Sequence, residues 1–291
     1  MSRVVCCGLT TLDLTQVVDR VPAPDEKVVA RSVTVDVGGP AANAARTVAA
    51  LQHPVTLVTA LGTGPVAGLA RELLAAEGVE VVDVAADDGA PALSTVLVTA
   101  GTGERAVVST NAVGRATATP AGDVLDRAGA LLVDGHLLAA QTALAREARA
   151  RGAVVLLDGG SWKPGLEDLL AHVDLALLSA DFTLPPELTG NSRARDAVLD
   201  ATARLGPVFV AQSHGPDPIR VLAEGRRYTL PVPHVPAGEV VDTLGAGDVL
   251  HGVTAMHLAD GASWCNAVAR GARVASRSVR YAGALGWAAG G

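Results

Sequence analysis

The feature that most constrains the fold is an alternation of short apolar runs with longer segments that carry an apolar stripe at helical spacing. Strands that alternate with helices pair in parallel, because each return to the same end of the sheet needs a crossover. We therefore predict an α/β fold with a mostly parallel central sheet flanked by helices. The predicted strands are Arg3–Gly8, Val55–Ala60, Ala130–Asp134, Ala153–Asp158, Val173–Ser179 and Pro207–Ala211, and the predicted helices are Pro65–Glu77, Thr142–Arg151 and Arg193–Leu205.

Two further stretches lack a helical stripe and indicate a small β layer beside the central sheet. Val28–Val37 and Leu93–Ser109 are rich in alternating Val, Thr and Ser, and the second contains a turn at Gly101-Thr102-Gly103. The chain shows no internal repeat and no linker-like segment. We therefore predict a single domain over residues 1–291, in which residues from about 10–38 and 92–110 form a β lid.

Charge and composition exclude several classes of partner. The 30 acidic and 23 basic residues give a net charge of -7, which argues against nucleic acid or an anionic membrane surface as a partner. No apolar run reaches the length of a membrane span. The three cysteines form no C-x-x-C pair, so we expect a reduced, cytoplasmic setting and no protein-held metal site built on cysteine or histidine.

The segment Val240–Gly252, with sequence VVDTLGAGDVLHG, has the pattern of an anion site. Gly245 and Gly247 allow a tight turn, and the apolar spacing after them predicts that the turn opens a helix. Free N–H groups and the helix dipole at such a terminus bind phosphate oxygens without a lysine. Asp248 lies in the first helical turn, where it can take the proton of an attacking hydroxyl or merely cap the helix.

The string DTLGAGD resembles the C-terminal signature of the ribokinase-like (PfkB) family of carbohydrate kinases. The resemblance implies a ribokinase-like fold in which Asp248 is the catalytic base. It also implies that Gly245, Ala246 and Gly247 form the anion hole for the transferred phosphate. Asp242 and Thr243 are then expected beside the nucleotide phosphates.

The segment Val37–Ala45, with sequence VGGPAANAA, is similar to the N-terminal motif of the same family. By this resemblance Gly38, Gly39 and Asn43 bind the sugar, since glycines let the backbone approach a polyol and an amide both donates and accepts. Asp13, which follows the first predicted strand, matches the acidic residue that binds substrate hydroxyls. Taken alone, the two glycines would be interpreted as a plain turn, Asn43 as a helix-entry residue and Asp13 as a solvated loop acid.

Other parts of the family pattern are altered in this chain. After the strand Val173–Ser179 the family usually carries Asn-x-x-Glu, whereas here Asp181 takes the first position and Leu184 the last. Ser213 and Gly215 resemble a nucleotide loop, although a plain turn fits them equally well. These departures leave the arrangement of any metal open.

Three more residues are candidates for contact with the acceptor. His136 follows a strand end at which the family often places a substrate ligand, and Arg105 lies in the second lid stretch. Lys163 follows another strand end, and together with Arg31 and Arg105 it is a candidate partner for an anionic acceptor. For each of these residues the alternative is an ordinary loop or edge position.

We thus predict an ATP-dependent kinase that phosphorylates a hydroxyl of a sugar or sugar-like molecule, with Mg²⁺ on the nucleotide and K⁺ as a candidate near Asp242. The alternatives are a nucleoside kinase of the same fold and a nucleotide- or sugar-binding sensor without turnover. A dehydrogenase is a weaker alternative, suggested by Gly62–Gly68 with Asp83 further on. We also expect a homodimer that forms through the lid. The sequence leaves the identity and charge of the acceptor open.

Overall fold

Nine strands form the large sheet of the computed structural model, which describes residues 2–190, 192 and 194–288. In sheet order the strands are β13, β12, β11, β10, β9, β8, β1, β4 and β5. All neighbours pair in parallel except β11–β12 and β12–β13, which are antiparallel. The strands are β1 (Arg3–Cys7), β4 (Val55–Thr59), β5 (Glu80–Asp83), β8 (Ala128–Val133), β9 (Val154–Gly159), β10 (Leu175–Leu178), β11 (Phe209–His214), β12 (Asp217–Ala223) and β13 (Arg226–Leu230).

Both faces of this sheet are buried, as a sheet of parallel strands requires. Successive residues of β1 point to opposite faces, so that Val4 and Cys6 join one apolar core while Val5 and Cys7 join the other. All four side chains are fully buried. The prediction of a mostly parallel sheet between helical layers is therefore confirmed. The helices are α1 (Pro40–Ala50), α2 (Gly64–Ala76), α3 (Leu138–Ala150), α4 (Leu166–Leu170), α5 (Pro186–Thr189), α6 (Arg195–Arg204), α7 (Ala246–Ala259) and α8 (Trp264–Ser278).

A second sheet of four strands has the order β3, β2, β6, β7. Its strands are β2 (Thr11–Val18), β3 (Ser32–Gly38), β6 (Ala92–Thr99) and β7 (Arg105–Ser109). We call it the small sheet. β2 and β3 pair antiparallel, as do β6 and β7, whereas β2 and β6 pair in parallel.

Several element bounds differ from those predicted. β3 begins at Ser32 instead of Val28, because its partner β2 ends at Val18 and the ladder stops with the Val17–Ser32 pair. α3 begins at Leu138, before the predicted Thr142. β11 extends past Ala211 to His214, because β12 returns alongside it.

The predicted helix Arg193–Leu205 corresponds to α6, and Arg193 lies outside the described residues. Among the described helices, none is long and apolar enough to cross a membrane.

Candidate active site

The candidate site lies along one edge of the large sheet, where the parallel strands end. Asp134 directly follows β8, and Asp158 is the penultimate residue of β9. The helices α1 and α7 begin at the same edge, since Asn43 in the first turns of α1 contacts Asp248 in the first turn of α7. Carboxyl ends of strands and amino ends of helices thus meet in one place, which is where open α/β sheets bind ligands.

The N-terminus of α7 is shaped by Gly245. This residue precedes the helix with φ 73°, and a Cβ at its position would lie 2.6 Å from the Cβ of Ala284. Both observations require glycine. The N–H of Val249 makes the first helical bond, to the carbonyl of Gly245 at 2.8 Å. The amides of Gly247 and Asp248 precede that bond, so they are available to an anion at the helix end.

Asp248 is joined to the other sequence motif by a direct bond. The side-chain amide of Asn43 donates to Oδ2 of Asp248 at 2.7 Å, across 205 positions of the chain. Among the described residues no side chain caps α7, so the carboxylate of Asp248 serves no capping role there. Burial raises the pKa of Asp248 well above its ordinary value, and the negative charge of Asp158 raises it further. The hydrogen bond from Asn43 acts in the opposite direction.

Asp13 and Gly38 of the N-terminal motif are also brought together, while Gly39 has φ 98° and approaches the carbonyl of Leu9. Asp13 lies on β2, opposite Asp36 of β3. A Cβ at Gly38 would lie 2.0 Å from Oδ2 of Asp13, so only glycine leaves room for this carboxylate. Oδ1 of Asp13 is buried and has no hydrogen-bond partner among the described residues. A buried carboxylate oxygen without a donor is the arrangement that a substrate hydroxyl would satisfy.

Asp134 braces the loops around this region. Its carboxylate accepts from the amides of Leu9 at 2.8 Å and Ala41 at 3.3 Å and from the side chain of Gln141 at 2.8 Å. The ring Nδ1 of His136 lies 3.3 Å from Oδ1 of Asp134. Burial alone would raise the pKa of Asp134, but His136 and these donors lower it to about 2. Asp134 is therefore a carboxylate that holds the start of α1 against the end of β1.

Two residues of this edge were not among the candidates that the sequence indicated. Asp158 and His251 are both more than nine-tenths buried, and Nδ1 of His251 lies 3.3 Å from Oδ2 of Asp158. Burial raises the pKa of Asp158, while His251 counteracts that effect. The available signal was positional, because Asp158 ends a predicted strand next to the one that Asp134 ends.

Lys163 also faces this region. Burial lowers the pKa of its ammonium, while Asp134 and Asp158 act to raise it. Its Nζ lies 3.2 Å from Oγ of Ser161. Arg31, by contrast, is exposed and pairs with Asp19.

Arg105 contacts Asp242 instead of the residues around Asp13. Its guanidinium on β7 donates to Oδ1 of Asp242 at 2.5 Å. The same carboxylate accepts from the amides of Leu244 at 2.9 Å and Gly283 at 3.0 Å. Burial acts to raise the pKa of Asp242, but these donors hold it below its ordinary value. The small sheet is thereby tied to the turn that opens α7.

The other candidate nucleotide residues lie along β10 and β11. Ser213 donates to the carbonyl of Leu178 at 3.3 Å, and Gly215 forms the β11–β12 turn with φ 53°. Asp181 and Thr243 are exposed, whereas Leu184 is buried in the core where the family carries an acid. The described residues contain no group of three or more His, Cys, Asp or Glu arranged to hold a metal.

Asp83 of the dehydrogenase alternative has a structural role. Its carboxylate accepts from the amides of Leu61 and Gly62, each at 3.0 Å, and it pairs with Arg71. The residue therefore braces the turn between β4 and α2.

The chain is similar over nearly its whole length to known carbohydrate kinases. The model of the pfkB family of carbohydrate kinases matches residues 1–287. An ATP-dependent ribose-1-phosphate kinase of Halopiger xanaduensis is 31% identical over 98% of this chain and 97% of its own length. A ribokinase of Arabidopsis thaliana is 26% identical over 97% of this chain and 77% of its own length.

The fold also matches solved structures. The structure of Arabidopsis thaliana ribokinase complexed with ribose and ATP has a TM-score of 0.79, with 23% identity over 98% of this chain and 95% of that one. Phosphofructokinase-2 from Escherichia coli in complex with potassium has a TM-score of 0.73, with 21% identity over 98% of this chain and 94% of that one. These likenesses show a ribokinase-like fold, and the family match favours a kinase over the dehydrogenase alternative. This chain therefore belongs to the pfkB family of carbohydrate kinases.

Proposed function

We propose that the protein transfers the γ-phosphoryl group of ATP to a hydroxyl of a sugar or sugar-like alcohol, with Asp248 as the general base. The observation that carries the proposal is the position of Asp248, which lies in the first turn of α7 and is bonded to Asn43. An acid beside free helix amides can take a proton from a hydroxyl that attacks a phosphorus atom bound at those amides. Asn43 connects this acid to the motif expected to bind the sugar.

The acceptor is held by Asp13 and Asn43, with backbone contact at Gly38 and Gly39. No described residue donates to Oδ1 of Asp13, which supports a role for this oxygen in accepting a sugar O–H. His136 borders the same region through Asp134. The acceptor oxygen then loses its proton to Asp248 while it forms a bond to the γ-phosphorus, and ADP leaves with the electrons of the broken P–O bond. The raised pKa of Asp248 makes it a stronger base than an ordinary carboxylate.

The N–H of Ala246 donates to the carbonyl of Thr243 at 3.3 Å, so the turn Gly245–Gly247 presents the amides of Gly247 and Asp248 to an anion. These amides and the positive end of α7 stabilise the charge on the transferred group. The nucleotide lies toward β10 and β11, next to Asp181, Ser213 and Gly215, with Asp242 and Thr243 near its phosphates. Buried Leu184 does not fit a magnesium ion held by protein carboxylates, so no step depends on such an ion. The guanidinium of Arg105 is bonded to the carboxylate of Asp242, where K⁺ is predicted to lie. Binding of K⁺ near Asp242 is therefore still a prediction.

The test is a coupled assay of ADP release with purified protein, ATP and a panel of sugars and nucleosides. The panel includes ribose and ribose 1-phosphate, because relatives are named for these acceptors. We expect turnover with at least one sugar. Turnover with nucleosides alone would favour the nucleoside kinase, and ATP binding without turnover would favour the sensor.

Replacement of Asp248 by Asn tests the base directly. We expect a loss of roughly 10²–10⁴-fold in kcat, the range of general-base catalysis. The matched control is Asp168→Asn, since Asp168 is also the third residue of its helix, α4, and is exposed. Equal activity of the two variants would show that Asp248 is not the base.

We also propose that the small sheet covers the acceptor and mediates a homodimer. Its strands carry exposed apolar side chains, with Val33 at 62%, Val107 at 57% and Val108 at 77% exposure. Such a surface is typical of a contact with another chain. Light scattering of the Val108→Lys variant tests the dimer. If the dimer forms through the small sheet, the variant should have a lower molar mass than the wild-type protein.

A further inference from the structure

The buried imidazole of His251 has an acceptor at each ring nitrogen. Nδ1 lies 2.6 Å from the carbonyl oxygen of Gly247 and 3.3 Å from Oδ2 of Asp158. Nε2 lies 2.9 Å from the carbonyl oxygen of Leu177, at the end of β10. The ring is 3% exposed, so water does not replace these partners.

This arrangement requires two N–H groups on the ring. A neutral imidazole donates from one nitrogen, and its other nitrogen then carries a lone pair. Whichever nitrogen lacked a proton would place its lone pair against a carbonyl oxygen at hydrogen-bond distance. Asp158 provides the opposite charge that a buried imidazolium needs. Oδ2 of Asp158 has no hydrogen-bond partner among the described residues, so its contact with His251 is one of charge.

The carbonyl that His251 contacts belongs to the candidate anion hole. The oxygen of Gly247 and the N–H of Asp248 are parts of one peptide group, and this N–H precedes the first helical bond of α7. A cationic donor on a peptide oxygen strengthens the N–H on the other side, because chains of hydrogen bonds polarise one another. The second bond, to Leu177, holds α7 against β10, on the side where the nucleotide is proposed to bind.

We propose that His251, kept as an imidazolium by Asp158, is a positioning residue that orients and polarises the Gly247–Asp248 peptide toward the transferred phosphoryl group. The proposal rests on the proposed function, and neither family motif includes this residue. The peptide acts on charge that develops during transfer, so loss of His251 should lower kcat more than it changes KM.

The first test does not depend on activity. Nitrogen-15 NMR of the histidine-labelled full chain reports the protonation of each ring nitrogen, and the signals of His251 are those that His251→Asn removes from the seven histidines. We expect both nitrogens of His251 to be protonated at neutral pH. One unprotonated nitrogen would overturn the proposal, even if the protein proves to be an active kinase.

The second test is kinetic and uses ATP with ribose and ribose 1-phosphate as acceptor probes. His251→Asn and His251→Gln cannot donate at both ends, so we expect kcat to fall by about 10–100-fold, less than the 10²–10³-fold typical for removal of a whole anion-hole donor. Each KM should stay within about threefold.

The matched control is His53→Asn. His53 is also buried, and its ring contacts a carbonyl of Pro54 and the carboxylate of Asp260, away from the site. A folded His251→Asn variant with the kcat of His53→Asn would refute the positioning role. If the wild-type protein phosphorylates no member of the full acceptor panel, the proposed function fails separately, and the NMR result still decides the charge of His251. If His251→Asn does not fold, His251→Gln is used instead to assign the NMR signals of His251, and the protonation of the wild-type ring still tests the proposal.

Discussion

The contact that brings Asn43 to Asp248 depends on Gly252, one helical turn further along α7. A Cβ at Gly252 would lie 2.6 Å from the carbonyl oxygen of Ala44 and 3.1 Å from Cβ of Thr47, both on α1. The Gly252→Ala variant therefore forces α1 and α7 apart. Since an ordinary contact begins near 3.4 Å, the required separation is about 0.8 Å.

This separation is large compared with the tolerance of the site. Applied along the line between Asn43 and Asp248, it would lengthen their 2.7 Å bond to about 3.5 Å, beyond hydrogen-bond distance. A misplacement of about 1 Å costs on the order of 10²-fold in rate. Overpacking costs about 1–3 kcal/mol, and the helix propensity of Ala offsets up to about 1 kcal/mol of it. We therefore expect Gly252→Ala to lower kcat by about 10²-fold and stability by about 1–2 kcal/mol.

The control is Gly271→Ala in α8, the helix that packs against the opposite side of α7. A Cβ there would lie 2.6 Å from the carbonyl oxygen of Leu250 and 2.6 Å from Oγ1 of Thr254, so α8 must move instead of α1. Thermal unfolding should show a similar decrease in Tm for both variants, about 2–4 °C for each kcal/mol of lost stability. Activity should fall for Gly252→Ala alone. If both variants keep the wild-type kcat, or lose it equally, the spacing of α1 and α7 does not set the geometry of the site.

The remaining predictions concern a pH dependence and a glycine. Because the pKa of Asp134 is lowered from 3.8 to about 2, its carboxylate contributes about 2 kcal/mol to the free energy of unfolding above pH 4. This contribution is lost as the pH falls through about 2. Urea unfolding should show a difference in the free energy of unfolding between wild type and Asp134→Asn at pH 7, and this difference should disappear between about pH 4 and pH 2. A difference that stays constant with pH would exclude a contribution from the ionisation of Asp134. Gly38→Ala should displace Asp13 and raise the KM for the sugar about 10–100-fold without changing the KM for ATP. The control Gly68→Ala adds a methyl group in open space within α2 and should stabilise the chain by about 0.5–1 kcal/mol.

The parts of the fold that depend on local pattern could be predicted from the sequence. The apolar runs located most of the parallel strands, because both faces of such strands are buried and the runs are continuous. The glycine turn before α7 was likewise predictable, since the chemistry of Gly245 and its neighbours is contained in a short segment. Strand ends were less accurate, because a ladder ends where its partner ends, as Ser32 shows.

Contacts between distant residues could not be predicted in the same way. The ion pair of Arg105 with Asp242 joins positions 137 residues apart, and nothing near either residue indicates the other. The same holds for Asp158 and His251, whose meeting depends on the packing of α7 over β9. Asp158 could be located at the functional edge from its strand end, but its partner could not.

The opposite orientation of neighbouring side chains in β1 has a practical consequence for experiments. Cys6 and Cys7 are adjacent in the chain but enter separate cores, and burial raises the pKa of both thiols above the ordinary range. Cys265 is partly exposed. A thiol-reactive dye should therefore label one position in the native protein and three after denaturation. The rate at which the two inner sulfurs become labelled then measures how often the centre of the molecule opens.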